Sequence, residues 1–158
     1  MSYYPRHQRR HTQDVISNEL FSIFEGAAKE KSLAEIVENN AGKLFNRGSI
    51  LEKYVEQISG KIKRAQLRKF YNYIRSLETQ WRDKPGDQNL TKEDRLKLLK
   101  INVYLAYAVG RNLIPKDSLD KLFGLMIDRV RTYSDFRALI DVFEAIVAYH
   151  VYYEKGSR

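Results

Sequence analysis

The sequence predicts an all-α fold: a compact bundle of five to six helices in a single domain, with a flexible basic N-terminal tail. Three observations carry this. Apolar residues recur at helical spacing over most of the chain after Asp14, no run alternates apolar and polar residues as a half-buried strand does, and only three prolines interrupt 158 residues. With 43% hydrophobic residues, a chain of this length fills one sizeable core, and two domains would each be too small.

Residues 1–13, MSYYPRHQRRHTQ, lack apolar periodicity and are expected as the tail, leaving 14–158 as the helical domain. Short helical pieces are expected over 14–28, 32–44 and 49–59, punctuated by Gly26, Asn39, Asn40, Gly42 and Gly48. A long helix follows over 61–82 and stops at Asp83-Lys84-Pro85-Gly86, where proline cannot continue a helix and glycine accepts positive φ. LTKEDRLKLLKINVYLAYAVGR gives the next helix, with Thr91 as N-cap, Glu93 and Asp94 in the first turn and Gly110 near the end. IPKDSLDKLFGLMIDRVR gives another. The last is YSDFRALIDVFEAIVAYHVYY, which Ser134 can cap, with Phe136, Leu139, Ile140, Phe143, Ile146, Val147, His150 and Val151 at core spacing.

The net charge of +8 is unevenly spread. Lys plus Arg against Asp plus Glu gives +3 over residues 1–13, −3 over 14–60, +6 over 61–84 and +2 over 85–158. Positive charge concentrated in one folded segment and one tail suits a polyanion, because Lys and Arg beside phosphates release condensed counterions. A solubilising face is the alternative reading.

The stretch KIKRAQLRKFYNYIRSLE, residues 61–78, holds six cations. At helical spacing Leu67, Phe70, Ile74 and Leu77 share about 80° of arc as a core stripe, while Lys61, Arg64, Arg68 and Arg75 share about 60° on the other side. No acid of the same helix stands among them, so the row reads as uncompensated on its own helix. It is either a solvated or ion-paired face or a phosphate-binding one, and the predominance of arginine favours bidentate contact with phosphate. On the next helix Leu96, Leu99, Val103, Ala106 and Gly110 make one apolar stripe and Leu98, Leu105 and Val109 a second, so burial from two sides is expected. Between them run Lys97, Lys100, Tyr104, Tyr107 and Arg111. Such interleaving suits stacking on bases beside phosphate-holding charges, or tyrosines set into a core or interface. The candidate set for binding a phosphate backbone is Lys61, Arg64, Arg68, Lys69, Arg75, Lys97, Lys100, Tyr107 and Arg111.

No catalytic chemistry stands out. Cysteine is absent, which removes disulfides, thiolate metal sites and a cysteine nucleophile and suits a reducing cytoplasm. His7 and His11 are four apart but lie in the tail without a third ligand, and His150 reads as a packing histidine, so no metal site is expected. There is no P-loop, GxGxxG, GxSxG or HExxH, and Asp141 and Glu144 lack a second convergent acid. No cofactor is implied. No apolar run reads as a signal peptide or approaches the roughly 18 residues that span a bilayer, so a cytoplasmic location without membrane contact is expected.

Three blocks, QLRKFYNYIRSLE (66–78), LKINVYLAYAVGR (99–111) and DFRALIDVFEAIVAYHVYY (135–153), resemble the recurrent blocks of the small-subunit family of the type III-A CRISPR effector, the Csm complex. FEAIVAYH is the most distinctive string. The resemblance spans most of residues 60–153. It implies a helical protein without nuclease activity, present in several copies beside the other Csm subunits and facing the duplex of CRISPR RNA and target RNA. Block matching places Arg68, Lys69 and Tyr71 in the first block, Tyr107 and Arg111 in the second, and Phe143, Glu144, Tyr149 and His150 in the third. A helical adaptor that docks an acidic partner through its basic face, or a homodimer when isolated, is the other reading of the same charges.

Overall fold

The computed structural model describes the backbone of residues 6–155 and the side chains of residues 15–154. Among them stand eight α-helices and no strand: α1 (Arg6–Glu25), α2 (Leu33–Asn39), α3 (Ala41–Phe45), α4 (Ile50–Ile58), α5 (Arg64–Trp81), α6 (Lys92–Gly110), α7 (Leu119–Ile127) and α8 (Tyr133–Lys155). The helix α8 is the centre of the bundle, packed by α2, α3 and α4 and by α5, while α6 lies on α7 and α1 on α4 and α7. None of these helices is long and apolar enough to cross a membrane.

The helices outnumber the expected five to six: the seven helical segments read from the sequence are all present, and one of them divides in two. The expected piece over 32–44 splits at Asn40, whose side-chain amide donates to the Ile36 carbonyl at 2.8 Å and closes α2 before α3 begins. Asparagine does this because its side chain offers the backbone a local alternative to the helix. At the other end of the chain order, α1 reaches back to Arg6, into the residues assigned to the tail; residues 1–5 lie outside the described ones.

Caps follow the sequence in part. Thr91 accepts from the Asp94 N–H at 3.1 Å, as its position predicted. At α8 the capping hydroxyl belongs to Thr132 rather than Ser134: it accepts from the Asp135 N–H at 3.3 Å, while the Ser134 N–H is taken by the Gly86 carbonyl at 2.9 Å. Asp135 is itself buried and accepts from the N–H groups of Ala34, Arg131 and Thr132. Burial would raise its carboxyl, but these three donors hold it below the usual range.

The core on α8 follows the expected spacing. Phe136, Leu139, Ile140, Phe143, Ile146 and His150 are buried, and Val147 and Val151 are half-buried at the α5 side. Phe143 stands edge-on to Phe123 of α7 at 5.1 Å and against Tyr71 of α5 at 5.8 Å, so one ring joins three helices. Trp81 closes the end of α5 against Phe136 at 4.6 Å.

The expectation that α6 is buried from two sides is corrected. Leu98, Ile101, Leu105 and Ala108 are buried, but Leu96, Leu99, Val103 and Ala106 face outward, with Leu96 56% and Val103 64% exposed. Apolar periodicity marks both stripes equally, and the neighbour α7 covers only one.

Candidate nucleic-acid interface

The cationic row of 61–75 is divided by the fold. The helix begins at Arg64, not at Lys61, because Ile62 turns into the core and its carbonyl accepts from His150 Nε2 at 2.8 Å. Lys61 therefore leaves the row and lines a different depression, bounded by Phe21, Tyr54 and Lys121. Arg64, Arg68 and Arg75 lean toward α8, whereas Lys69 leans toward α6.

Nor is the row uncompensated. Arg64 Nε lies 2.8 Å from Glu154, and Arg75 Nη1 lies 2.7 Å from Glu78 and 3.3 Å from Glu144, with its guanidinium 5.8 Å from the Tyr71 ring centre. Glu78 is three residues after Arg75 on the same helix, within reach of helical pairing, and the expectation of an uncompensated row left it out. Partial burial and then the charge of Glu78 raise the Asp141 carboxyl. The arginine sits among these acids, and among the described residues no three His, Cys, Asp or Glu side chains are placed to hold a metal. Arg68 and Lys69 are exposed. Half-exposed pairs such as Arg64–Glu154 contribute only about 0–1 kcal/mol, so a phosphate can compete with the carboxylate.

Two grooves flank α5. Toward α8, one of about 380 Å³ is lined by Arg64, Arg68, Tyr71, Val147, His150 and Val151. His150 is 1% exposed and packs as a core residue; among the described residues its Nδ1 has no hydrogen-bond partner, and it stands 3.8 Å from Glu154. Toward α6, a groove of about 240 Å³ is lined by Gln66, Lys69, Phe70, Tyr73, Tyr104, Tyr107 and Leu113, with no carboxylate in its wall. The Tyr73 hydroxyl donates to the Lys97 carbonyl at 3.0 Å, and its ring meets Tyr104 edge-on at 5.2 Å. Burial, then Tyr104, pushes the Tyr73 hydroxyl up, so it stays a neutral donor.

Tyr104 and Tyr107 are exposed, 44% and 63%, so neither is a core residue. Arg111 Nη1 donates to the Tyr107 hydroxyl at 3.0 Å and its guanidinium lies 5.7 Å from the ring centre. Lys97 Nζ donates to Gln80 at 3.1 Å, tying α6 to the end of α5, and Lys100 is exposed beside it. The structure thus sets Lys69 and Tyr107 in the wall of one aromatic groove, joins Lys97 to it through Tyr73 and Arg111 through Tyr107, leaves Lys100 exposed on α6 outside the lining, and places Arg64, Arg68 and Arg75 along the opposite edge of α5. Phe70, Tyr73 and Tyr104 complete that groove; only the tyrosine at 104 carried a sequence signal, by interleaving with the cations.

Other cations are committed to the backbone. Arg129 donates to the carbonyls of Phe24, Ala27 and Ala28, and Arg131 to those of Lys29 and Glu30, closing the turn between α1 and α2. Arg137 does the same for Lys84 at 2.7 Å. On α6 Arg95 likewise donates to the Val130 carbonyl at 2.9 Å, whereas Arg68, Lys69 and Lys100 are exposed.

No curated protein and no solved structure matches the chain. The family model Csm2 Type III-A matches residues 38–156, three quarters of the chain and all of the α5, α6 and α8 blocks. The chain therefore belongs to the Csm2 Type III-A family, the small subunit of the type III-A CRISPR-Cas Csm complex.

Proposed function

We propose that this subunit binds the phosphate backbone of the CRISPR RNA and target RNA without reading sequence, scaffolds the complex together with other Csm subunits and further copies of itself, and performs no catalytic step. The observation that carries this is the groove between α5 and α6, free of carboxylates among the described residues, with Lys69 in its wall, Arg111 on Tyr107 at its edge and exposed Tyr104 and Tyr107 on its face. A groove of this kind offers charge to phosphates and ring faces to whichever base arrives, which makes binding tolerant of sequence. Arg68 extends the charge along α5, and Arg64 and Arg75 join by exchanging their carboxylates for phosphate.

The test is the salt dependence of binding to unrelated single-stranded RNAs. Replacing Arg68 and Lys69 of α5 with alanine, the best helix former, and Arg111, which follows the last residue of α6, keeps both helices. Each lost phosphate contact lowers the magnitude of the slope of log K against log salt by roughly 0.7 for a single strand, so the triple variant should lose about 2, equally for all sequences. A folded triple variant with an unaltered slope overturns the assignment of the site.

A further inference from the structure

The outward face of α6 has a use that RNA does not explain. Leu96, Leu99, Val103, Ala106 and Gly110 alternate steps of three and four residues, the spacing of a helix–helix seam, and share about 80° of arc. All five are exposed, and a side chain added at Gly110 would meet nothing within 4 Å. The seam tapers, from leucines near the N-terminal end to alanine and glycine near the C-terminal end, so a partner helix can approach more closely there. A contiguous exposed apolar strip of this kind marks a protein contact.

Its borders are cationic. Lys100 and Arg111 stand on one side, Lys92 at the N-terminal end, and Arg95, whose Nη1 also donates to the Val130 carbonyl at 2.9 Å, on the other, all exposed. The helix has two acids: Glu93, and Asp94, which is buried with its carboxylate 2.6 Å from the Tyr133 hydroxyl. A second copy of this chain joined seam to seam about a two-fold axis would oppose these cations to their own equivalents. Nucleic acid satisfies the charges but leaves Leu96, Leu99 and Val103 against a hydrated backbone.

We propose that the α6 seam docks an apolar helix of a different protein in the Csm complex, one flanked by Asp and Glu. The inference rests on membership of that complex and not on the RNA reading, so the two fail separately.

In a complex assembled with this chain, p-benzoylphenylalanine placed at Val103 should crosslink to a helix of another protein with acids bordering its apolar residues. A crosslink to RNA, a crosslink to a second copy, or none overturns the proposal. Charge gives a second readout. Val103→Glu should reduce incorporation into the complex at least tenfold, and Val103→Lys much less, because the lysine meets acids; the reverse order overturns it. Leu99→Gln with Val103→Gln, which adds no charge, should lose incorporation while the chain alone keeps its affinity for unrelated single-stranded RNA within twofold. Parallel loss of both would assign the seam to RNA instead. Circular dichroism should be unchanged throughout, as these positions face solvent.

Discussion

Glu52 shows how one buried carboxylate sets both a turn and a pH limit. It accepts from Arg47 Nε at 2.7 Å, from the Gly48 N–H at 3.2 Å and from the Tyr153 hydroxyl at 2.6 Å, and so ties the start of α4 to the end of α8. Gly48 presents that N–H from φ +77°, a conformation that a residue with a Cβ rarely adopts. The hydrogen bond from Arg47, then that from Tyr153, outweigh burial and hold the Glu52 carboxyl at about 2 against an ordinary 4.5. The same contact pushes the Tyr153 hydroxyl up to about 12. Because the folded value lies below the unfolded one, the stabilisation is present above pH 4.5 and is lost as pH falls from 4.5 toward 2. Urea midpoints measured across that window should therefore fall steeply for the native chain. Glu52→Gln should start lower at neutral pH and show a flatter acid limb.

At the scale of elements, α8 carries the fold and Phe143 is its best single test. Truncating this ring, 1% exposed and in contact with α5 and α7, should cost about 3–5 kcal/mol by lost transfer energy and a residual cavity, read as a shift in the urea midpoint with unchanged m. Unchanged stability with lost assembly would instead make this block an interface. The core of α8 was legible because Phe136, Leu139, Ile140, Phe143 and Ile146 repeat at 3.6-residue spacing and α8 is packed from several sides. The start of α5 was not, since Ile62 leaves the helix to meet His150, a residue 88 positions away. The outward seam of α6 escapes the sequence for a related reason: periodicity records which faces are apolar, and only the placement of neighbouring helices decides which face is covered. The same limit applies to charge. The partners of Arg75 and Arg64 on α8 lie 69 and 90 residues further along the chain, beyond any helical pairing rule.

Across the whole molecule, charge is therefore tuned by α8 as well as supplied by α5 and α6. Of the α5 cations, Lys69 lies beside the aromatic groove, Arg68 is exposed, and Arg64 and Arg75 are held by acids, so on the proposed function the strength of RNA binding should rise when those acids are neutralised. Glu78→Gln with Glu144→Gln removes both carboxylates from Arg75 while keeping the side-chain volumes, and glutamine is as good a helix former as glutamate. Arg75 then has its guanidinium beside Tyr71 and no acid holding it through an ion pair to Glu78 or Glu144. If RNA phosphates run along this edge, the double variant should bind unrelated single-stranded RNAs more tightly than the native chain. Its slope of log K against log salt should steepen by roughly 0.7, the signature of one more phosphate neutralised. Adding Arg75→Ala to the double variant should return the slope to the native value, since the additional phosphate is held by that side chain alone. Tighter binding without a steeper slope, or an increase that survives Arg75→Ala, would place the phosphates on the α6 side of the groove and leave Arg75 a purely structural link between α5 and α8.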